Sequence, residues 1–485
     1  MSVISLTTAC IDRGRVVEVS VEADIHPGLP IFSIIGLPDK RIEEAKERIR
    51  GALRNSGYSF PQGRITVNLS PSSLRKHGTG FDLAICLALL VRSGQISHHF
   101  RKAWVVGELA LDGSVRPVQQ IIPLLQEAKK RHIPVIISSY QKQYAQLVVS
   151  RVALVSTLKE AATLPYFAQA TPFKMSKTSS QKHYLFDQVL NQSMAKRGIC
   201  IALAGKHNLL MSGPPGVGKT MLAEAAHQLL PPFSQEELLV NSQLAAFAGR
   251  SVEFHANSRP FIHPHYRVTA RTLFGGGMSL APGELSLGYG GLVFFDEFTY
   301  MNADVREGLR QPLQEKELRL SSYSHTVSYP IASLVWGAYN SCPCGFLGVE
   351  GESCKCTPGQ LLRYQRALSQ PLMERFHVHL YLHQSQQQGV HANEYPAHQV
   401  AERIKSIWKE GRRLEAWSDQ ATALFKQASV SLRLSHRVNR TLMLLSETIA
   451  QFDEKGEVDQ ACVQEALQYR YRPVQSVQRQ QDRIA

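Results

Sequence analysis

The segment 208–222, NLLMSGPPGVGKTML, decides the fold of this chain. Its apolar beginning predicts a buried parallel strand, and the residues after Lys219 predict a helix. Between the two, Gly213-Pro-Pro-Gly-Val-Gly-Lys-Thr220 has the G-x-x-x-x-G-K-[ST] spacing of a phosphate-binding loop. Glycines allow successive backbone N–H groups to turn toward one anion at the positive end of the helix. The alternative is a glycine-rich turn that only joins a strand to a helix.

This loop predicts ATP and Mg²⁺ as cofactors. Lys219 is expected to reach the β- and γ-phosphates, and the Thr220 hydroxyl to ligate Mg²⁺. The cradle itself would be formed by Gly213, Pro214, Pro215, Gly216, Val217 and Gly218.

A second strand predicts the hydrolytic carboxylates. The apolar run 292–295, LVFF, ends in Asp296 and Glu297. Downstream of a complete phosphate-binding loop, Asp296 is expected to enter the Mg²⁺ shell and Glu297 to polarise the attacking water. A third strand, 332–339, ends in Asn340, whose amide would orient that water beside the γ-phosphate. A simple turn residue is the alternative for Asn340.

Two arginines are candidates for stabilising phosphoryl charge. Arg375 stands at the junction into the predicted strand 377–383 and would act on the nucleotide of a neighbouring subunit, or else form an ordinary ion pair. Arg433 opens a predicted helix and is expected to contact a nucleotide. The histidines of strand 377–383 share one face, which we interpret as a solvated face rather than a metal site.

Four cysteines predict a metal site. Cys342 and Cys344 form one C-x-C pair, and Cys354 and Cys356 form another ten residues on. Four thiolates this close suit a tetrahedral structural Zn²⁺, although the usual spacing is C-x₂-C. Reduced thiols or a redox pair are the alternatives.

Charge and composition favour a polyanionic partner. The chain has 485 residues, a length typical of about three domains. It carries 54 Lys and Arg against 40 Asp and Glu, which gives a net charge of +14. Such an excess favours nucleic acid, although a diffuse basic surface is the alternative. Apolar runs are too short for a membrane span and no signal peptide is evident, so we expect a cytoplasmic protein without a membrane partner.

The predicted elements indicate an α/β fold with several units. Alternating strands and helices before residue 165 predict a mixed α/β unit, in which residues 103–111 form one strand. A polar stretch at 166–184 predicts a linker, residues 302–311 predict a helix that stops before Pro312, and residues 397–472 predict further helices. Segment 240–290 is interpreted as loops and short elements carried on a rigid core. Its basic residues and those of the next hairpin are candidate DNA contacts that grip phosphates without reading bases, with plain solvent exposure as the alternative: Arg267, Arg271, Lys316 and Arg319.

Taken in order, these motifs resemble a known family. The loop 213–220, the segments RPFIHPHYRVTARTLFGGG, PGELSLGYGGLVFFDE, REGLRQPLQEKELRLS, AYNSCPCGF and QPLMERF are similar to those of magnesium-chelatase-like AAA+ ATPases. The N-terminal stretch GLPIFSIIGLPDKRIEEAKERIRGALRNSGYSFPQGRITVNLSPSSLRKHGTGFDLA resembles the ComM/YifB group of that family.

The resemblance implies a domain plan and a set of roles. A Lon-protease-like α+β domain (ribosomal S5 domain 2-like) would span 1–165, the AAA+ core with its cysteine insertion 185–390, and a helical lid with a C-terminal tail 391–485. Asn340 would be sensor 1, Arg375 the arginine finger and Arg433 sensor 2. Gly80 stands where Lon-like proteases have a nucleophilic serine, so proteolysis is not expected.

The resemblance also implies a function. It indicates a homo-hexameric DNA helicase that acts on single-stranded and branched DNA, alongside recombination proteins, in branch migration during natural transformation and recombination. An AAA+ protein remodeller of the chelatase or chaperone type is the alternative, and a non-catalytic DNA-binding module is a third hypothesis. Intact Lys219, Asp296 and Glu297 argue against the third. The positive charge and the N-terminal resemblance argue, less strongly, against the second.

Overall fold

The computed structural model describes most of the chain, in thirteen stretches. They are 3–74, 76, 78–97, 102–163, 167–172, 184–189, 192–250, 258–322, 325–347, 349, 351–383, 394–411 and 416–471. Most of the predicted linker and the tail beyond 471 therefore lie outside the described residues. Among the described residues, no helix combines the length and apolarity needed to cross a bilayer.

The N-terminal region is built on one eight-stranded mixed sheet. Its order is β10-β9-β8-β5-β1-β2-β4-β3. The strands of this region, including a separate β6–β7 ladder, are β1 (Ile4–Asp12), β2 (Arg15–His26), β3 (Phe32–Ile35), β4 (Arg64–Ser70), β5 (Trp104–Val105), β6 (Glu108–Leu109), β7 (Val115–Arg116), β8 (Val135–Ser138), β9 (Arg151–Val155) and β10 (Ala168–Gln169). The helices are α1 (Lys40–Asn55), α2 (Asp82–Arg92), α3 (Ile121–Lys130), α4 (Lys142–Val148) and α5 (Leu158–Ala162).

Local sequence explains the two long helices of this region. Asp39 caps α1 by accepting the backbone N–H of Ile42, and the buried residues of α1 follow helical spacing. Helix α2 is apolar on nearly all sides, since it is buried against β1 and β2. One strand prediction was wrong: residues 103–111 form two short strands, because the chain leaves the main sheet at Gly107, whose N–H bonds to the Gly80 carbonyl.

The central region has a five-stranded parallel sheet, in the order β12-β15-β18-β11-β19. Its three inner strands are buried along their whole length and apolar except for Ser212 at the end of β11, as expected for a parallel sheet covered on both faces. Its strands are β11 (Leu209–Ser212), β12 (Phe261–Ile262), β15 (Leu292–Phe295), β18 (Leu334–Tyr339) and β19 (Val378–Tyr381). The short ladders are β13 (Gly275–Gly276) with β14 (Ala281–Pro282), and β16 (Glu317–Ser321) with β17 (Thr326–Pro330).

The helices of the central region are mostly short. They are α6 (Leu185–Gln188), α7 (Ser193–Ala204), α8 (Lys219–His227), α9 (Gln235–Phe247), α10 (Ala270–Phe274), α11 (Glu284–Leu287), α12 (Ala303–Gly308), α13 (Arg310–Glu315), α14 (Pro358–Arg366) and α15 (Gln370–Met373). Segment 240–290 is richer in helix than predicted, since α9 extends to Phe247 behind a Ser234–Glu237 capping box. The predicted helix 302–311 is two helices, and Pro312 is tolerated because it falls in the first turn of α13.

The C-terminal region is helical and packs on the central one. It contains α16 (Ala397–Glu410), α17 (Asp419–Ser431), α18 (His436–Phe452) and α19 (Gln460–Gln468), with a short β20 (Ala416–Trp417) and β21 (Glu457–Val458) ladder. Helices α16 and α18 contact α7. The solvated histidine face predicted for 377–383 was wrong, because His379 is buried in β19 with 4% exposure.

Among the described residues, the N-terminal and central regions touch where α3 and α4 contact α9, and where the β1–β2 turn meets the β16–β17 hairpin. Leu147 of α4 packs with Phe233 and Leu238 at α9. At the second contact, the β1–β2 turn packs against the β16–β17 hairpin. Gly14 of this turn has a left-handed φ of 72°, and a Cβ there would lie 2.9 Å from the Tyr329 hydroxyl. Arg15 also donates to the Thr326 carbonyl at 3.3 Å.

Candidate active site

The phosphate-binding loop joins β11 to α8 at the carboxyl edge of the central sheet. Gly216 and Gly218 have φ values of 77° and 87°, which a side chain would strain. Lys219 is the first residue of α8 and is only 9% exposed. Its ammonium donates to the carbonyls of Gly213 and Pro214 at 2.8 and 2.9 Å and to the Asn340 side-chain oxygen at 2.9 Å.

The buried ammonium fits a phosphate ligand. All three of these acceptors are neutral oxygens, and burial lowers the pKa of Lys219. A phosphate at the loop would supply the negative charge that these acceptors lack, while the backbone N–H groups at the start of α8 would bind the same anion. The residues therefore fit a nucleoside triphosphate.

The carboxylates of β15 lie next to this loop. Thr220 donates its hydroxyl to Asp296 Oδ2 at 2.7 Å, which brings together the two oxygen ligands predicted for Mg²⁺. Glu297 is exposed, has a left-handed φ of 52°, and donates its N–H to Asp296 Oδ1 at 2.8 Å. A strained backbone that turns a carboxylate out of the strand end suits a residue that must reach a water molecule.

Asn340 is held by a tyrosine that the sequence analysis did not single out. The Tyr364 hydroxyl donates to the Asn340 carbonyl at 2.9 Å and accepts from the Thr299 hydroxyl at 2.8 Å. Tyr364 is buried on α14, 24 residues after Asn340. These two hydrogen bonds therefore link the end of β18 to Thr299, in the segment that follows Glu297. A capping box at Thr357 predicts the helix, but no sequence signal indicates the target of its tyrosine.

The four cysteines of the insertion form one cluster. Their sulfur atoms all lie within 4.8 Å of one another. Cys342 and Cys344 are 3.3 Å apart, and Cys354 lies 3.6 and 3.7 Å from Cys344 and Cys342. Four sulfurs about 2.3 Å from a tetrahedral Zn²⁺ would be separated by about 3.8 Å, so the cluster fits this metal. The backbone N–H of Phe346 helps to hold the pKa of Cys344 below its ordinary value.

The cysteine loop is seated on the phosphate-binding loop. Gly345 follows the first cysteine pair with a φ of 84°, and a Cβ there would lie 2.6 Å from Pro215 Cδ. A side chain cannot be accommodated between the two loops. The metal candidate and the nucleotide candidate are thus neighbours at one edge of the sheet.

The candidate arginines lie at the other edge. Arg375 comes three residues before β19, whose parallel pairing with β11 puts Val378 beside Leu209. The four residues of β11, about 13 Å of strand, lie between this level of the sheet and the phosphate-binding loop of the same chain. Its guanidinium donates to the Pro371 carbonyl at 2.7 Å and to the Gln314 side-chain oxygen at 2.8 Å.

A second arginine joins Arg375 there. Arg437, on α18, donates to the same Gln314 oxygen at 2.9 Å. Burial, Arg437 and Arg310 lower the pKa of Arg375, as expected for cations held close together. The sequence analysis did not select Arg437 or Gln314. Arg433, which it did select, lies exposed in the turn before α18, with a φ of 47°, in a cavity shared with Phe376 and His377.

The four candidate DNA contacts are exposed but do not form one group. Arg267 lies over the ring of Tyr266, 5.4 Å from its centroid, and Arg271 lies on α10. Arg319 pairs with Glu317 on β16 at 3.3 Å. Lys316 lines the cleft that also contains Arg375 and Arg437. Their DNA contacts stay a prediction.

Gly80, which stands where Lon-like proteases have a nucleophilic serine, is tightly packed. A Cβ at Gly80 would lie 3.1 Å from a methyl group of Val118. The neighbouring Thr79 hydroxyl donates to the Glu108 carboxylate. His77 of the same loop lies outside the described residues.

Comparisons with known proteins agree with this arrangement. A family model described as magnesium chelatase, subunit ChlI, matches residues 185–390, and a second, described as subunit ChlI of Mg-chelatase, matches 21–142. The YifB protein of Escherichia coli is 32% identical over 476 residues, which cover 93% of this chain and 94% of that protein. Competence protein ComM of Haemophilus influenzae is 31% identical over 481 residues, with the same coverage. An archaeal Lon protease of Archaeoglobus fulgidus is 38% identical over 68 residues, 14% of this chain.

Proposed function

Because the chain belongs to the ComM/YifB family of magnesium-chelatase-like AAA+ proteins, we propose that it is an ATP-dependent DNA helicase that drives branch migration. It would act in natural transformation and homologous recombination, as a ring of identical subunits, six by analogy. Bound ATP with Mg²⁺ supplies the phosphoanhydride bond whose cleavage releases energy.

One observation carries the ATPase part of the proposal: the candidate hydrolytic residues of each chain divide between the two opposite edges of its central sheet. Lys219, Thr220 and Asp296 lie at the carboxyl edge, and Arg375 and Arg437 at the amino edge. Within one chain the arginines do not reach the phosphate-binding loop. A head-to-tail ring brings the amino edge of one subunit to the carboxyl edge of the next, which completes the site.

Each residue then has a stated task. Lys219 neutralises phosphate charge, Thr220 and Asp296 hold Mg²⁺, and Glu297 takes the proton of the attacking water, which Asn340 orients. Arg375 of the neighbouring subunit stabilises charge on the transferred group. Since the reaction needs two subunits, hydrolysis in one changes its contact with the other.

The net charge of the chain and its similarity to a competence protein support DNA as the substrate along which the ring moves. The net charge of +14 favours a polyanion, and a relative that matches along nearly the whole chain is named a competence protein. The match to a family model described as a magnesium chelatase subunit instead favours the second candidate function, an AAA+ protein remodeller of the chelatase or chaperone type. The N-terminal region would be a non-proteolytic Lon-like domain, since Gly80 provides no nucleophile.

One experiment separates these functions. ATP hydrolysis is measured with and without DNA, beside unwinding of a forked and a three-stranded substrate, for wild type and Glu297→Gln. We expect DNA to stimulate hydrolysis, and unwinding to be lost in the variant. Hydrolysis indifferent to DNA, with no unwinding, would favour protein remodelling, and an absence of hydrolysis would favour a binding module.

A further inference from the structure

Asn208 connects the strand of the phosphate-binding loop to the segment of the arginine. It immediately precedes β11 and is 1% exposed. Its side-chain Nδ2 donates to the Arg375 carbonyl at 3.2 Å, and its Oδ1 accepts the Val335 N–H at 3.1 Å. Both ends of this amide are therefore used, one on the arginine's own backbone and one at the start of β18.

The backbone of Asn208 holds the same turn from its other side. The Asn208 carbonyl accepts the N–H of His377 at 2.8 Å and of Val378 at 3.1 Å. The peptide segment 375–378 is thereby fixed at three points by a single residue. The guanidinium of Arg375 is fixed separately, by Pro371 and Gln314.

The buried amide cannot be replaced without loss. Removing it leaves the buried Val335 N–H and the part-buried Arg375 carbonyl without this partner. Segment 375–378 would then lose the one hydrogen bond that holds the backbone of Arg375 itself and keep the two that Asn208 makes through its own carbonyl. Strand β11 would keep its backbone pairing with β18 and β19. Displacement of a catalytic group by about 1 Å costs about 10²-fold in rate.

We propose that Asn208 is a positioning residue that holds Arg375 in place for the nucleotide of the neighbouring subunit. This inference rests on the proposed function, because it requires hydrolysis between subunits. Asn208 lies at the opposite end of β11 from the phosphate-binding loop, so it serves the neighbour's site and not that of its own chain. This distinction makes the proposal testable.

The test is complementation in rings mixed from two variants at equal amounts. Glu297→Gln subunits lack hydrolysis of their own but offer an intact Arg375, whereas Arg375→Ala subunits keep their own site but offer no arginine. In a random mixture, about one interface in four joins an intact site to an intact arginine. The ATPase rate of each mixture is compared with the rates of the two variants alone.

We expect Asn208→Ala alone to lose at least tenfold in ATPase rate while its affinity for ATP stays within about threefold. Mixed with Glu297→Gln, it should regain the rate that the mixture of Arg375→Ala with Glu297→Gln regains. Mixed with Arg375→Ala, it should regain nothing. A Tyr364→Phe variant, which loses a hydroxyl at the carboxyl edge, should show the reverse pattern.

A matched control separates positioning from general loss of stability. Ser446→Ala removes another buried side-chain hydrogen bond, from the Ser446 hydroxyl to the Leu442 carbonyl at 2.9 Å, without contact with Arg375. It should hydrolyse ATP within about twofold of wild type. If Asn208→Ala does not fold, Asn208→Ser is used, since its shorter side chain does not span both partners, and the same mixing pattern is expected.

The outcomes distinguish the inference from its premise. If Arg375→Ala with Glu297→Gln regains activity but Asn208→Ala with Glu297→Gln does not, the positioning role is wrong and shared-site hydrolysis stands. If Asn208→Ala complements Arg375→Ala, Asn208 serves its own site and the inference is also wrong. If Arg375→Ala with Glu297→Gln regains nothing, hydrolysis is not shared and the proposed function fails together with the inference.

Discussion

The two edges of the central sheet are built for different tasks. At the carboxyl edge, three neutral oxygen atoms accept hydrogen bonds from the buried ammonium of Lys219, and the cysteine loop packs against the phosphate-binding loop. At the amino edge, two arginines converge on one glutamine in an open cleft. The first edge has the features of a binding site, and the second has a surplus of positive charge. Under the proposed function, either edge alone is half of a catalyst.

Replacement of Arg375 by alanine should have the largest effect. An arginine supplied between subunits contributes about 10³-fold or more to phosphoryl transfer, so the ATPase rate should fall by about that factor. The affinity for ATP, measured by fluorescence with a labelled nucleotide, should change less than about threefold because the carboxyl edge is intact. A loss of binding equal to the loss of rate would break the comparison between the edges.

Lys219→Ala tests the carboxyl edge. Loss of the buried ammonium should lower the ATPase rate about 10²-fold or more and weaken ATP binding in the same assay. The exposed Lys426→Ala of α17 is the control and should behave as wild type. Unchanged ATP binding in Lys219→Ala would mean that the loop is not the nucleotide site.

Acid should lower the free energy of unfolding through His379, which lies in β19. Burial lowers the pKa of His379 to about 4, so the histidine is neutral in the fold, whereas its ordinary pKa is near 6.5. Stability from the neutral form is present above pH 6.5 and is lost as the pH falls toward 4, by about 2 kcal/mol at pH 5. Thermal melting at pH 7 and 5 should therefore shift less in His379→Phe than in wild type.

The control for this pH effect is His398→Leu, an exposed position on α16. It should keep the pH sensitivity of wild type. An equal shift in wild type and His379→Phe would show that other groups dominate the acid response.

Loss of the cysteine metal should have the smallest effect on turnover. Purified protein should contain about one Zn²⁺ per chain by atomic emission, and Cys354→Ser should not. Because Gly345 abuts Pro215, we expect the variant to lose about tenfold in ATPase rate. Cys462→Ser, at a buried cysteine of α19, should keep the metal. Full metal content in Cys354→Ser would contradict the site.

The sequence predicts the carboxyl edge far better than the amino edge, for a physical reason. Lys219, Asp296 and Asn340 each come within a few residues of a buried strand, and parallel strands bring their ends together. Gln314, Arg375 and Arg437 come from α13, the turn after α15, and α18, which meet only through tertiary packing. Local patterns therefore indicated Arg375, by its place before a strand, but not Arg437. Tyr364 was also missed, because only tertiary packing brings its hydroxyl to Asn340.

Fold prediction failed where burial overrides local pattern. The alternation at 377–383 is typical of a half-exposed strand, yet β19 is covered and His379 bonds to the Phe376 carbonyl at 3.1 Å. Segment 103–111 has suitable residues throughout, but the chain leaves the main sheet at Gly107, whose N–H bonds to the Gly80 carbonyl at 3.1 Å. Glycine suits this crowded position, since a Cβ there would lie 3.0 Å from side-chain atoms of Leu83 and Val115.

The contact between the β1–β2 turn and the β16–β17 hairpin affects how these two parts of the molecule can move. The Tyr329 hydroxyl that faces Gly14 also donates to the Leu280 carbonyl at 2.8 Å, and the Ile331 N–H returns to the Lys316 carbonyl at the root of the hairpin. A side chain at position 14 would push the turn off the hairpin, so glycine there keeps this contact closed. A rotation of the hairpin would then either carry the N-terminal sheet with it or break the contact, together with the Arg15–Thr326 hydrogen bond.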